Sequence, residues 1–311
     1  MNIVFMGTPD YAVKTLEEII AAGHKVSAVF AQPDKPVGRK HILTPPPVKV
    51  CAEKYNIPVF QPESLKNEEV YSSLKEINPD IIVVVAYGKL LPENILNLPK
   101  FGCVNGHASL LPKYRGASPI QWCIVCGETT TGVTTMYMNK GMDTGDILEQ
   151  QTVEIGNEET AEELFERLSV ISASLMVSTL ERLEKGEITP KKQDESKASY
   201  APIIKKEMAF IDFEAMTARQ VSCAVRGYYS WPCAYFFLGG KRIKIIKAAV
   251  GSKSDIAVGC ISDNEENLSI VCKDGVSINL LEIQPEGSKP MTAEQFLNGN
   301  KISVGTRIKN D

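Results

Sequence analysis

Two short glycine-flanked segments carry the side chains able to do chemistry. The first is Gly102-Cys103-Val104-Asn105-Gly106-His107-Ala108-Ser109-Leu110-Leu111-Pro112, and the second is Gly141-Met142-Asp143-Thr144-Gly145-Asp146. An amide, an imidazole and a carboxylate suit a reaction through a tetrahedral oxyanion, which needs donors aimed at its oxygen and a destination for a proton. The Asn105 NH2 donates without any change of ionisation, although an Asn before a Gly is also a common turn former. His107 is one of three histidines; taken alone it reads as a structural imidazole, and in this segment it is a donor to a carbonyl oxygen whose tautomer a carboxylate fixes. Asp143 is the candidate carboxylate, and Asp146 is an alternative that would instead brace the turn. No Ser or Cys has a nucleophile-elbow context, which favours direct transfer over a covalent enzyme intermediate.

The surrounding pattern predicts the elements that hold these groups. Residues 2–6 form an apolar run ending at Gly7-Thr8-Pro9-Asp10, after which Ala12, Leu16, Ile19 and Ile20 recur at helical spacing until Gly23. This strand, turn and helix opens a doubly wound sheet but lacks G-x-G-x-x-G, which argues against a dinucleotide cofactor. The unbroken Ile81-Ile82-Val83-Val84-Val85-Ala86 predicts a central parallel strand covered on both faces. Tyr87-Gly88-Lys89 marks its carboxyl edge, where such sheets bind ligands. Cys103-Val104-Asn105 reads as the next strand, Ser118–Cys126 as a helix opened by Pro119, and Thr131–Met138 and Asp146–Glu154 as strands joined by a hairpin. Glu158–Leu183 is a long amphipathic helix with Leu164, Leu168, Ile171, Leu175 and Leu180 toward the sheet.

Two stretches are locally basic. From Gln32 to Pro47 the periodicity dissolves among prolines, and Lys35, Arg39, Lys40, His41 and Lys49 stand against Asp34. Such a long connection is either a solvated loop or a functional one that reaches the crevice and touches a phosphate-bearing substrate. Later, Lys241, Arg242, Lys244, Lys247 and Lys253 fall within thirteen residues. They read as a phosphate-facing stripe or as an edge strand protected by lysines.

The polar run after Gly186 divides the chain into a first domain at 1–189, a linker at 190–206 and a second domain at 207–311. In the second, short strands are expected at Cys233–Leu238, Arg242–Ala248, Ala257–Ile261, Leu268–Cys272 and Ser277–Ile283, a small β-barrel of OB type. A terminal helix follows, with Thr292 as N-cap and Gln295 three residues on. The fold class is therefore α/β, a doubly wound and mainly parallel Rossmann-like sheet, with a smaller β-barrel domain.

A length of 311 residues and 43% hydrophobic composition support two cores, and the net charge of -4 argues against indiscriminate polyanion binding. Eight cysteines among apolar neighbours read as reduced thiols, and the lone Cys123-x-x-Cys126 spacing gives no metal site. With no basic-then-apolar leader and no apolar run of membrane length, a cytoplasmic protein, a monomer by default, is expected.

The motifs together resemble the folate-dependent formyltransferase superfamily. The resemblance is carried by Gly7-Thr8-Pro9-Asp10, Gln32-Pro33-Asp34, Val84-Val85-Ala86-Tyr87-Gly88, Asn105-x-His107 with Ser109-Leu110-Leu111-Pro112-x-Tyr114-Arg115-Gly116-Ala117-x-Pro119-Ile120-Gln121, and Gly141–Asp146, and it extends through Trp231-Pro232 into the C-terminal barrel. It implies a formyltransferase fold and transfer of a formyl group from N10 of 10-formyltetrahydrofolate to an amine, that of methionyl-initiator tRNA. By the same resemblance Asn105, His107 and Asp143 are the catalytic trio. Val85, Tyr87, Gly88, Ser109, Leu110, Leu111 and Pro112 border the folate. The basic loop with Lys35, Arg39 and Lys40 meets the tRNA acceptor stem, and the C-terminal barrel, with Lys241, Arg242 and Lys244, serves as the tRNA-binding domain. Gly106 departs from the family, where a bulkier apolar residue is usual. The rivals are a formyltransferase for a small nucleotide-linked amine, which needs neither basic stretch, a hydrolase releasing formate from the same donor, and a non-enzymatic RNA-binding protein, which leaves the trio unexplained.

Overall fold

The computed structural model describes residues 1–38, 41–265 and 267–308. In chain order the first part contains β1 (Asn2–Gly7), α1 (Asp10–Ala21), β2 (Lys25–Phe30), β3 (Lys35–Val37), β4 (Ile42–Thr44), α2 (Pro47–Lys54), β5 (Val59–Phe60) and α3 (Glu68–Ile77). It continues with β6 (Ile81–Val85), α4 (Glu93–Leu96), β7 (Cys103–His107), β8 (Arg115–Gly116), α5 (Pro119–Val125), β9 (Thr130–Tyr137), β10 (Ile147–Glu154), α6 (Ala161–Glu184) and β11 (Tyr200–Ala201). Contacts divide the chain into two units: Met1–Pro119, Thr130–Glu154 and Phe165–Ala201 form one, and Ile120–Thr129, Ile155–Leu164 and Pro202–Asp311 the other.

The first unit is built on a seven-stranded sheet in the order β10-β9-β7-β6-β1-β2-β5. The five strands from β7 to β5 are parallel, whereas β9 and β10 are antiparallel. Ile3 to Met6 and Ile81 to Val85 are all buried, as the unbroken apolar runs require of strands covered on both faces. The chain winds from β1 toward β2 and β5, then returns to β6 and β7 on the other side, so the topological switch lies between β1 and β6. Gly7 sits opposite Val85 there, and a Cβ on it would come within 3.1 Å of the Val85 carbonyl oxygen and 2.7 Å of the Phe5 ring. Only glycine admits this close approach at the ligand-binding end of the sheet.

The irregular basic loop expected between 32 and 47 is instead partly a β-hairpin, with Lys35 paired to Thr44 and Pro36 to Leu43. Pro36 hides this ribbon in the sequence, since proline is tolerated only where no ladder N–H is needed. Arg39 and Lys40 lie outside the described residues. The 190–206 segment, polar as expected, is anchored within the first unit as far as Ala201: Lys191 exchanges both backbone hydrogen bonds with Ile147, and Tyr200 and Ala201 pair with Arg115 and Gly116.

The second unit contains α7 (Ala218–Gly227), β12 (Tyr235–Leu238), β13 (Lys241–Lys253), β14 (Ile261–Asp263), β15 (Leu268–Val271), β16 (Val276–Pro285), β17 (Met291–Thr292) and α8 (Ala293–Gly299). Its antiparallel sheet runs β12-β13-β16-β15-β14, with β17 on β16, and curls as a half-barrel. The 13-residue β13 pairs with β16 through three register shifts, which allow one strand to bend around the core of Phe236, Ile243, Ile245, Leu268, Ile278 and Leu280. The strand expected at 257–261 begins only at Ile261, after a turn in which Gly259 has φ +77. Thr292 and Gln295 form the capping box anticipated for α8.

Candidate active site

Asn105 and His107 are two residues apart on β7 and therefore share one face of the strand. Gly106 points the other way, where a Cβ would stand 3.1 Å from Ser172 Oγ and 3.4 Å from Met176 Cε of α6. Those two side chains fill the space a larger residue would take. Asn105 is 9% exposed, and among the described residues its side chain forms no hydrogen bond. The amide is thus not engaged as a turn brace and keeps its donors for a ligand.

His107 is held from the backbone. Its Nε2 lies 2.9 Å from the Tyr114 carbonyl oxygen, and because a carbonyl only accepts, Nε2 carries the proton. Nδ1 faces Asp143 Oδ2 at 3.8 Å. A carbonyl rather than a carboxylate therefore sets the tautomer, and Nδ1 is the nitrogen left for chemistry. The sequence could not show this, because Tyr114 meets His107 only once the turn after Pro112 has closed.

Asp143 occupies the left-handed region, φ +54, in the turn between β9 and β10. Its Oδ2 accepts the Gly116 N–H at 2.8 Å, and among the described residues its Oδ1 accepts no hydrogen bond. Asn139 closes the turn by accepting from Gly141 N and Thr144 Oγ1, and a Cβ on Gly145 would fall 1.7 Å from the Tyr137 carbonyl oxygen. Asp146 accepts the Tyr137 N–H at its backbone carbonyl at 2.9 Å, which ties the turn down just before β10 begins.

Behind this turn lies a polar network that sequence reasoning missed. Arg115 is 1% exposed; its guanidinium grips Glu195 through two 2.8 Å hydrogen bonds and Gln193 Oε1 through two more. This pairing holds the Glu195 carboxyl below the usual glutamate range and raises Arg115 further. Gln193 in turn donates from Nε2 to the carbonyl oxygens of Asp143 and Gly145, each at 2.8 Å. A polar run without periodicity gives no signal for such contacts.

The residues expected to border the folate lie at the adjoining ends of β6 and β7. Val85, Tyr87, Ser109 and Leu111 are buried, while Gly88 is exposed and Leu110 and Pro112 are partly so. The Tyr87 ring packs in the core, where burial pushes its hydroxyl up to about 12, and its carbonyl accepts from Gln32 Nε2 and Thr8 Oγ1. Ser109 is also committed locally, its Oγ donating to Lys113 O at 2.7 Å. Thr134 Oγ1 donates to Ser109 O and accepts Leu111 N–H, and Gln150 donates to Leu111 O, so the 109–112 turn is fixed from β9 and β10. These placements fit a site whose walls are backbone and apolar side chains.

Of the basic residues, Lys35 is exposed on β3, whereas Lys49 is bound to both oxygens of Asp34 at 2.9 Å. Lys241, Arg242 and Lys244 lie on β13 in the second unit, where Arg242 and Lys244 alternate with the core residues Ile243 and Ile245. Arg242 stands 5.7 Å from the Tyr235 ring centroid, and Phe237 packs edge-on to the same ring. This outer face carries cations interleaved with aromatic rings.

Residues 1–180 match the family model described as formyl transferase, and residues 203–301 match that of the formyl transferase C-terminal domain. A methionyl-tRNA formyltransferase of Geobacter metallireducens is 44% identical over 308 residues, covering 99% of this chain and 98% of its own. One from Thermodesulfovibrio yellowstonii is 46% identical over 304 residues, covering 98% and 97%. Among solved structures, an N-formyltransferase of Helicobacter canadensis, crystallised with folinic acid and dTDP-3-aminofucose, shares the fold with a TM-score of 0.67 at 22% identity, covering 89% of this chain and 98% of its own.

Proposed function

Because the chain belongs to the methionyl-tRNA formyltransferase family, we propose that it moves the formyl group of 10-formyltetrahydrofolate onto the α-amine of methionyl-initiator tRNA. The observation that carries this reading is the unengaged Asn105 amide on the same strand face as His107, whose Nδ1 is turned to Asp143. The folate supplies a formyl group on a nitrogen able to leave, and segments 85–88 and 109–112 would hold it.

The chain's own groups account for the remaining requirements. The amine nitrogen bonds to the formyl carbon, and Asn105 donates to the oxygen as it becomes an oxyanion, a contribution of about 3–4 kcal/mol for a donor of this kind. Asp143 receives the amine proton and relays it to Nδ1 of His107. Protonated there, His107 donates to the oxyanion and then passes the proton to the departing folate nitrogen as the carbon–nitrogen bond breaks.

The Arg242 and Lys244 face, with Tyr235 and Phe237, supports a tRNA acceptor, since cations meet phosphates and rings stack on bases. The exposed Lys35 on the β3–β4 hairpin, with Arg39 and Lys40, is a second candidate contact. The proposed catalytic trio lies within one unit of one chain, which supports a monomer, and a tRNA acceptor supports a cytoplasmic location. Among the described residues no helix is long and apolar enough to cross a membrane.

The test is a formyl-transfer assay comparing methionyl-initiator tRNA with free methionine and with a nucleotide-linked amino sugar. Transfer to the tRNA that requires 10-formyltetrahydrofolate is expected, and preference for either small amine would refute the acceptor assignment.

A further inference from the structure

Resting on the assignment of Asp143 to the reaction, we propose that Gln193 is a positioning residue that sets the catalytic turn by coupling it to the buried Arg115 guanidinium. Chemistry fixes the orientation of its amide. Arg115 can only donate, so Oε1 faces Nε and Nη2 at 3.1 and 2.8 Å. Carbonyl oxygens can only accept, so Nε2 faces Asp143 O and Gly145 O, both at 2.8 Å. Every donor and acceptor position of this side chain that faces protein is in use, and the two carbonyls it joins flank Thr144.

That clamp acts where the backbone needs it. Asp143 holds a left-handed φ of +54, a conformation disfavoured for a residue with a Cβ and retained only where neighbours over-determine it. Gly116 N–H fixes the carboxylate at Oδ2, while Gln193 fixes the peptide groups on which that carboxylate is mounted. Arg115 supplies both ends: its guanidinium orients Gln193, and its own strand continues directly into Gly116. The 190–201 segment thus reaches the site from outside the motifs that carry the chemistry. Without the clamp the turn relaxes and Oδ2 loses its station near His107 Nδ1, a displacement of the order that lowers turnover about 10²-fold.

Gln193→Glu separates this role from a structural one. One carboxylate oxygen still accepts from Arg115, but the other has no N–H to give and stands against the Asp143 and Gly145 carbonyl oxygens. We expect kcat for formylation of methionyl-initiator tRNA to fall about ten- to a hundredfold, with KM for both substrates within about twofold of wild type and a thermal midpoint that is lowered but still well above the assay temperature. Gln193→Ala should lose turnover similarly and also lower the midpoint. In an Asp143→Ala background, Gln193→Glu should have no further effect on the residual rate, because the group it positions is gone. Wild-type kcat in Gln193→Glu beside a disabled Asp143→Ala, or an equal loss in both backgrounds, overturns the positioning role alone. Wild-type turnover in Asp143→Ala overturns the catalytic assignment on which it rests.

Discussion

The Oδ2 atom of Asp143 lies 3.8 Å from Nδ1 of His107, while the opposite ring nitrogen donates to the carbonyl oxygen of Tyr114 at 2.9 Å. The imidazole is therefore oriented by main chain and turns its other nitrogen toward the carboxylate, the arrangement that the proposed proton transfer requires. Asp143→Asn keeps the shape and an acceptor for Gly116 N–H but removes the basic oxygen. The expected result is a loss of kcat of about 10²-fold or more with KM little changed, measured by steady-state formylation. A variant retaining more than half of wild-type turnover would contradict a proton-transfer role.

Gly106 gives a packing prediction. A Cβ there meets Ser172 Oγ at 3.1 Å and Met176 Cε at 3.4 Å, so a methyl group requires only a small adjustment of α6. Gly106→Ala should stay close to wild type in stability. Gly106→Ile should destabilise by about 1–3 kcal/mol through overpacking, and Met176→Ala in the same chain should restore part of that. Denaturant unfolding of the three variants checks this; equal stability of Gly106→Ile and wild type would mean the pocket is not filled as described.

Glu195 gives a prediction in pH. Its hydrogen bonds from Arg115 lower its folded-state pKa, so its contribution to stability is present above the ordinary glutamate value of about 4.3 and is lost as pH falls through the lower folded value. NMR titration of the Glu195 carboxyl should give a midpoint below the ordinary range, returning toward it in Arg115→Lys, which cannot make the paired contact. A midpoint at or above the ordinary value in the wild type would show that the pair is not formed in solution.

Much of this architecture is legible in residue patterns because burial imposes periodicity. Ile81–Val85 reads as a central strand since both faces are covered, and Thr292 with Gln295 reads as a cap since the two bonds are local. Asn105, His107 and Asp143 stand out only together, because an amide, an imidazole and a carboxylate on two short glycine-flanked segments suit one reaction through an oxyanion. The β3–β4 hairpin did not, because Pro36 breaks the strand pattern and a three-residue pairing is too short to show a repeat. Gln193 and Glu195 were equally hidden, since a polar side chain bound to a residue nearly eighty positions away has no local signature. The Tyr114 carbonyl on His107 belongs to the same class: a backbone group carries no sequence information at all.

The basic and aromatic face of β12 and β13 predicts a salt signature. Arg242→Ala and Lys244→Ala should each weaken binding of methionyl-initiator tRNA and reduce the slope of log K against log salt by about one, while leaving the KM for 10-formyltetrahydrofolate unchanged. Slopes identical to wild type across a salt series would remove these residues from the tRNA surface.

The central claim is that an oxyanion forms against Asn105 in a direct transfer. Single-turnover formylation of methionyl-initiator tRNA by wild type and Asn105→Ala, both saturated with 10-formyltetrahydrofolate, tests it most directly. Since the Asn105 side chain makes no hydrogen bond among the described residues, the variant should fold with an unchanged thermal midpoint, yet its chemical step should be slower by about 10²–10³-fold. A rate within a few-fold of wild type would contradict the account.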